Sequence, residues 1–184
     1  MTTGWGREER PDLAIEKILD AAEKAFIEIG VSAAGMSKIA ESAGCSRGTL
    51  YRYFPTRHDL HLAYVNREAL RIVARVREAV AGVRDPRRRL VETLLLSVRE
   101  VRRNAATAAW FEPGASGMAA RMSRSSEVVG RLTEGFASEL GAAADGLEAR
   151  WLVRIIVSLL SMPGASEAEE RALIERFVAP ALVP

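Results

Sequence analysis

The sequence predicts an all-α chain of about nine helices, and three observations carry that prediction. Apolar residues recur at i, i+3, i+4 and i+7 along almost the whole chain. No segment alternates with the period of two that a half-buried strand requires. Capping and stopping residues break the pattern into pieces of ordinary helix length.

Ile15, Ile18, Leu19, Ala22, Phe26 and Ile29 make one stripe of a first helix, with Asp12 as its N-cap and Gly30 as its stop. A short second helix, 36–43, ends at Gly44. Ser46 caps a third, 47–54, which Pro55 terminates because a residue preceding proline is driven out of the helical region. A fourth helix, 57–83, carries Leu60, Tyr64, Ala69, Ile72, Val76 and Val80 on roughly one side. Asp85-Pro86 restarts the chain, since Asp caps and Pro fits the first helical turn. The fifth helix, 86–104, buries Leu90, Leu94, Val98 and Val101. A small helix over 105–112 is closed by Pro113-Gly114, and 115–140 reads as one helix with a weak beginning, because Gly117, Ser123, Ser125 and Ser126 lower its propensity. After a linker at 141–146 come a strong helix, 147–162, and a last one, 166–182, opened by a capping box of Ser166 and Glu169. Three short helices, a long connecting helix and a larger helical body divide the chain into a unit at 12–72 and a body at 73–184.

Composition restricts the function classes. The 184 residues carry 26 Lys+Arg against 24 Asp+Glu, so overall charge does not select a partner and local charge must. The lone cysteine, Cys45, has no internal disulfide partner, and a cytoplasmic protein that stands on its core is expected. Residues 1–10 contain Arg7, Glu8, Glu9 and Arg10 and no apolar stretch of the signal-peptide kind. The longest apolar run, 155–162, is far shorter than the roughly 20 residues a membrane span needs, so no membrane partner is expected.

Local charge is informative at 35–54, where two short helices joined by Gly44-Cys45-Ser46 have the spacing of a helix-turn-helix. Ala40 is the small residue where the helices cross and Gly44 the turn; Ile39, Ala43, Cys45, Leu50 and Phe54 form the packing set. With Leu50 and Phe54 turned inward, the opposite side of the third helix shows Arg47, Gly48, Thr49, Tyr51 and Arg52. Residues 1–60 hold nine acids and eight Lys+Arg, yet 42–57 hold three arginines and no acid. An acid-free basic face of this kind suits a DNA groove, where arginine pairs bidentately with guanine O6 and N7.

The run Ile39-Ala40-x-x-Ala43-Gly44-x-Ser46-x-Gly48-Thr49-Leu50-Tyr51-x-Tyr53-Phe54-x-x-Arg57-x-x-Leu60 resembles the signature of the TetR family of bacterial transcriptional regulators, and the match extends over about 12–72. The resemblance implies a dimer that binds a palindromic operator through two recognition helices in successive major grooves, roughly 34 to 36 Å apart or somewhat more. The DNA-facing set it implies is Lys38, Ser46, Arg47, Gly48, Thr49, Tyr51, Arg52, Tyr53 and Arg57. Within that set Arg47, Thr49, Tyr51 and Arg52 would read the groove, and Arg57, in the place of the family's usual lysine, would clamp a phosphate. Tyr53 has two readings, a phosphate contact and a packing group. Gly35 stands where a phosphate-contacting threonine often caps the second helix, and Lys38 replaces a frequent acid, so the phosphate footprint differs from the usual one.

Other clusters are weaker. His58 and His61 share a face at what reads as an exposed helix start, without a third metal ligand, so no metal or other cofactor is expected. No set of nucleophile, base and orienting acid can be assembled, which speaks against an enzyme. Arg84, Arg87, Arg88 and Arg89 crowd a helix N-terminus, where the helix dipole disfavours cations, and read as a solvated junction. In the body, Trp110, Phe111, Met118, Met122 and Phe136 are candidate walls of a cavity for a small, largely apolar effector, by analogy with the family's layout. The helix around Trp151 is apolar on nearly every side, which requires cover on two faces; Trp151, Leu152, Ile155, Ile156, Leu159, Leu173 and Phe177 are the expected contact with a second copy of the chain.

Overall fold

A computed structural model describes residues 11–141 and 146–183, and among these every regular element is helical. The order is α1 (Pro11–Ile29), α2 (Met36–Ala43), α3 (Arg47–Tyr53), α4 (Arg57–Val80), α5 (Pro86–Arg103), α6 (Ala105–Ala108) with a 3-10 turn over Ala109–Phe111, α7 (Ser116–Ser125), α8 (Glu127–Glu139), α9 (Leu147–Ser161), α10 (Glu167–Leu173) and α11 (Ala179–Leu182).

Most boundaries fall where capping chemistry places them. Ser46, Thr56, Asp85 and Ser166 each accept a hydrogen bond from the backbone N–H three residues on, and Thr56 with Asp59 closes a full capping box. Glu169 reaches one residue further back than a capping box requires, to the N–H of Ala165. Asp12 lies inside the first turn of α1 rather than at its N-cap, since the helix already begins at Pro11. The predicted linker at 141–146 falls mostly outside the described residues.

Two helices differ from the expectation. The stretch 115–140 is two helices, because Ser126 leaves the helical region (φ −81°, ψ 107°) and caps α8 by accepting from Val129 N–H at 2.9 Å. Its hydroxyl donates to Asn66 Oδ1 of α4 at 2.6 Å, so a buried tertiary contact holds the break open. The last helix widens to π geometry over Ile174–Val178, directly before Pro180, which has no N–H to return to the carbonyl of Arg176.

Helices α1 to α4 close over Ile18, Phe26, Ile39, Leu50 and Leu60, all fully buried. Trp110, Ala119 and Met122 complete that same cluster from beyond the fourth helix, and α4 runs across residue 72 without interruption. A second cluster, around Leu90, Leu94, Leu152 and Ile174, forms the far end of the body. Leu152 and Leu159 therefore lie in their own chain's core and are unavailable to a partner copy, which corrects their assignment to a dimer contact. Helix α9 packs against α5 and α8 of its own chain, and the two leucines share a core with residues of both. Trp151 and Leu173 stay 42% exposed and Phe177 62%.

Candidate nucleic-acid interface and body cavity

Helix α3 is held from behind and open in front. Leu50 is fully buried and Phe54 nearly so, whereas Arg47, Gly48, Tyr51 and Arg52 are exposed. The turn before it is closed by Gly44 at φ 68°, a left-handed conformation that glycine adopts without a Cβ clash, and by Cys45 N–H donating to Ala40 O. Cys45 packs on the same core, and burial pushes its thiol pKa up, as for an inert packing group. Ser46 Oγ accepts from Thr49 N–H at 3.0 Å and lies 2.9 Å from Thr49 Oγ1, so these two hydroxyls first serve each other.

Gly48 is a different case. A Cβ built there would meet nothing nearer than Ser46 Oγ, at 3.8 Å. The fold makes no use of this glycine, although glycine inside a helix is destabilising by about 1 kcal/mol relative to alanine.

The remaining predicted contact residues divide by environment. Lys38 is exposed but paired with Glu41 at 3.6 Å. Tyr53 is half-buried against the core, with the Arg52 guanidinium 5.2 Å from its ring centre. Arg57 is a brace: its Nη2 donates to the carbonyls of Val31 at 2.6 Å and Ser32 at 2.9 Å, and its Nε to His61 Nε2 at 3.4 Å. The carbonyls closing the α1–α2 turn are thereby tied to the start of α4.

His61 is buried, correcting the expectation of an exposed helix start. Its ring meets Phe26 at 5.5 Å and Trp110 at 5.0 Å, both edge to face, and Tyr64 stacks on Trp110 at 6.1 Å. Burial, reinforced by the charge of Arg57, lowers its pKa to about 4. Between pH 6.5 and 4 the unfolded chain takes up a proton that the folded chain refuses, so stability falls as pH drops through that window. Unfolding midpoints measured across it should fall steadily, and His61→Phe should remove up to about 3 kcal/mol of that dependence. An unchanged slope in the variant would assign the dependence to other groups.

A cavity of about 180 Å³ lies in the body between α4 and α9. Trp110 and Phe111 are in its wall; Met118 and Met122 pack towards the N-terminal core instead, and Phe136 lines a second, neighbouring cavity of about 370 Å³. Trp110 therefore belongs to both the core and the cavity wall. Thr133, Leu132 and Ile156 border both spaces, and so Ile156, predicted as dimer contact, faces the interior.

One charged cluster lies outside the residues expected from the sequence. Arg67, 8% exposed, donates from Nη1 to Asp20 at 2.7 Å and Glu16 at 3.2 Å, from Nη2 to Glu23 at 2.8 Å, and from Nε to Glu68 Oε1 at 3.1 Å. It ties three carboxylates of α1 to α4. Glu68, 5% exposed, also lines the body cavity. A signal was present: Leu60, Tyr64, Glu68, Ile72, Val76 and Val80 follow one another at steps of four, and a carboxylate in that series sits on the buried face.

Comparison with known proteins agrees with this architecture. The family model described as "Bacterial regulatory proteins, tetR family" matches residues 18–64. An uncharacterized HTH-type transcriptional regulator of Mycobacterium tuberculosis is 42% identical over 185 residues, covering 99% of this chain and 92% of that protein. Among solved structures, a TetR transcriptional regulator from a Rhodococcus species superposes with a TM-score of 0.66 at 22% identity, over 95% of this chain and 98% of the other. RolR in complex with resorcinol superposes with a TM-score of 0.65 at 18% identity, over 94% and 87%.

Proposed function

The chain belongs to the tetR family of bacterial regulatory proteins, and from that premise we propose that it is a repressor that binds a palindromic operator as a homodimer and is released by a small, largely apolar effector. Its fold is that of a helix-turn-helix transcriptional regulator and not of an enzyme, and no helix of the described residues is long and apolar enough to cross a membrane. Its place of action on this reading is the cytoplasm, with the DNA.

Gly48 carries the reading. A helix whose own packing leaves a glycine unused, flanked by exposed Arg47, Tyr51 and Arg52 over a fully buried Leu50, is shaped for close approach by something outside the fold. DNA backbone and base edges fit that description, and the acid-free run 42–57 supplies the sign of charge they require. Arg47, Thr49, Tyr51 and Arg52 are the groove-reading residues on this reading; Ser46, Lys38 and Tyr53 contact phosphates at the margin. Exposed Trp151, Leu173 and Phe177, with Ile155 half-buried beside them, supply the dimer contact.

The body supports the effector. RolR was solved with resorcinol, and this chain has a cavity with Trp110 and Phe111 in its wall. An effector shifts DNA affinity only by its differential affinity for the two arrangements of the heads. A gel shift with the DNA upstream of the protein's own gene, repeated across salt, tests the DNA reading. Specific retention that weakens steeply with salt is expected; no specific retention at any salt sinks it.

A further inference from the structure

Resting on the effector reading, we infer that the body cavity takes an apolar molecule carrying one protonated amine, and that Glu68 is its counter-ion. The cavity wall holds few polar groups, and most are engaged. Ser97, Ser123 and Thr133 donate their hydroxyl protons to the carbonyls of Thr93, Ala119 and Val129, one turn back on their own helices. Thr107 donates to Val101 O at 2.6 Å. The Tyr64 hydroxyl and the Trp110 N–H have no hydrogen-bond partner among the described residues, but both atoms are fully enclosed, so those two residues offer the cavity their ring carbons.

Glu68 differs from all of these. Both of its guanidinium partners share one oxygen: Oε1 receives Arg67 Nε, at 3.1 Å, and Arg71 Nη1, at 2.9 Å. It is the charged side chain of the cavity wall, and it is buried. The surrounding charge has the same sign: Glu16, Asp20, Glu23 and Glu68 are four carboxylates against the two guanidiniums of Arg67 and Arg71. A carboxylate on the wall of an apolar cavity is matched best by a charged N–H group. Aromatic walls add attraction for a cation. A carboxylate-bearing ligand would instead set like charges against each other in a site of low dielectric.

The same residue links the cavity to the DNA-binding head. Glu68 and α1 share Arg67, so a cation drawn to Glu68 acts on the group that orients α1 against α4.

The test is a matched series of probes, phenylbutylamine, phenylbutanol and phenylbutyrate, measured by calorimetry on the full chain without DNA at neutral pH. The amine should bind roughly tenfold or more tighter than the alcohol, as a charge-assisted hydrogen bond provides, and phenylbutyrate should bind most weakly. In Glu68→Gln the amine should fall to the level of the alcohol. The inference is overturned if phenylbutanol or phenylbutyrate binds as tightly as the amine, if the amine's advantage survives in Glu68→Gln, or if none of the three binds. The wild-type series decides by itself should that variant not fold. Operator retention is read separately: its absence refutes the regulator reading whatever the amine does, and loss of the amine preference refutes this inference with retention intact.

Discussion

Replacing Arg67 with methionine is expected to lower the stability of the folded chain by about 3 kcal/mol. Methionine keeps much of the length and apolar stem of arginine but removes four donated hydrogen bonds at once. Glu68 then keeps only Arg71, which is itself 45% exposed at its side chain, and a buried carboxylate with a weakened partner is costly. Glu16 and Asp20 are half or more exposed at their side chains and contribute less, because water replaces what they lose. Urea unfolding of Arg67→Met beside Arg71→Met measures the difference. The second variant should lose less, because Arg71 is itself half exposed and Arg67 still holds the Glu68 carboxylate. Equal small losses in both would show that the cluster organises charge without holding α1 to α4.

The second large effect concerns DNA. Arg47→Ala and Arg52→Ala are each expected to weaken operator binding by about 1 to 3 kcal/mol and to relax the base preference at the contacted position. Both side chains are exposed on α3, so the folded chain should lose almost nothing in its unfolding midpoint. Arg57→Ala should behave otherwise. It removes the donor of two backbone carbonyls and of His61 Nε2, so affinity should fall alike on operator and scrambled DNA, together with stability. Anisotropy titrations on both DNAs, with melting curves for each variant, separate the two classes. An Arg57→Ala protein that melts like the parent yet binds scrambled DNA more weakly would return Arg57 to the role of a plain phosphate clamp.

Element by element, the chain was legible wherever a local cause sets the structure. Ser46, Thr56, Asp85 and Ser166 start helices because their side-chain oxygens satisfy orphan N–H groups, a cause confined to four consecutive residues. Helix α2 matches its predicted ends because Gly44 supplies the left-handed residue its C-terminus needs. Ser126 was misread for the opposite reason. Its propensity signal was weak and visible, but the break is settled by Asn66, sixty positions away, which no window on the sequence contains. Leu152 and Leu159 were misassigned because a helix apolar on every side does not say which side its own chain covers.

The helical class, the helix-turn-helix, the outward set on α3 and the family follow from the sequence, since they depend on spacing along one helix or across one turn. Which side chains are already engaged was decided by the tertiary structure. Arg57 is occupied by the 31–32 carbonyls, His61 is sealed among aromatic rings, and Trp110 joins the core of the head to the wall of the cavity. Glu68 carries the same lesson, a polar step in an apolar series whose use appears only when α1, α4 and the cavity meet around it. The physical reason is range: capping and periodicity act over a turn or two of helix, whereas burial and the choice of hydrogen-bond partner depend on residues brought together from distant parts of the chain.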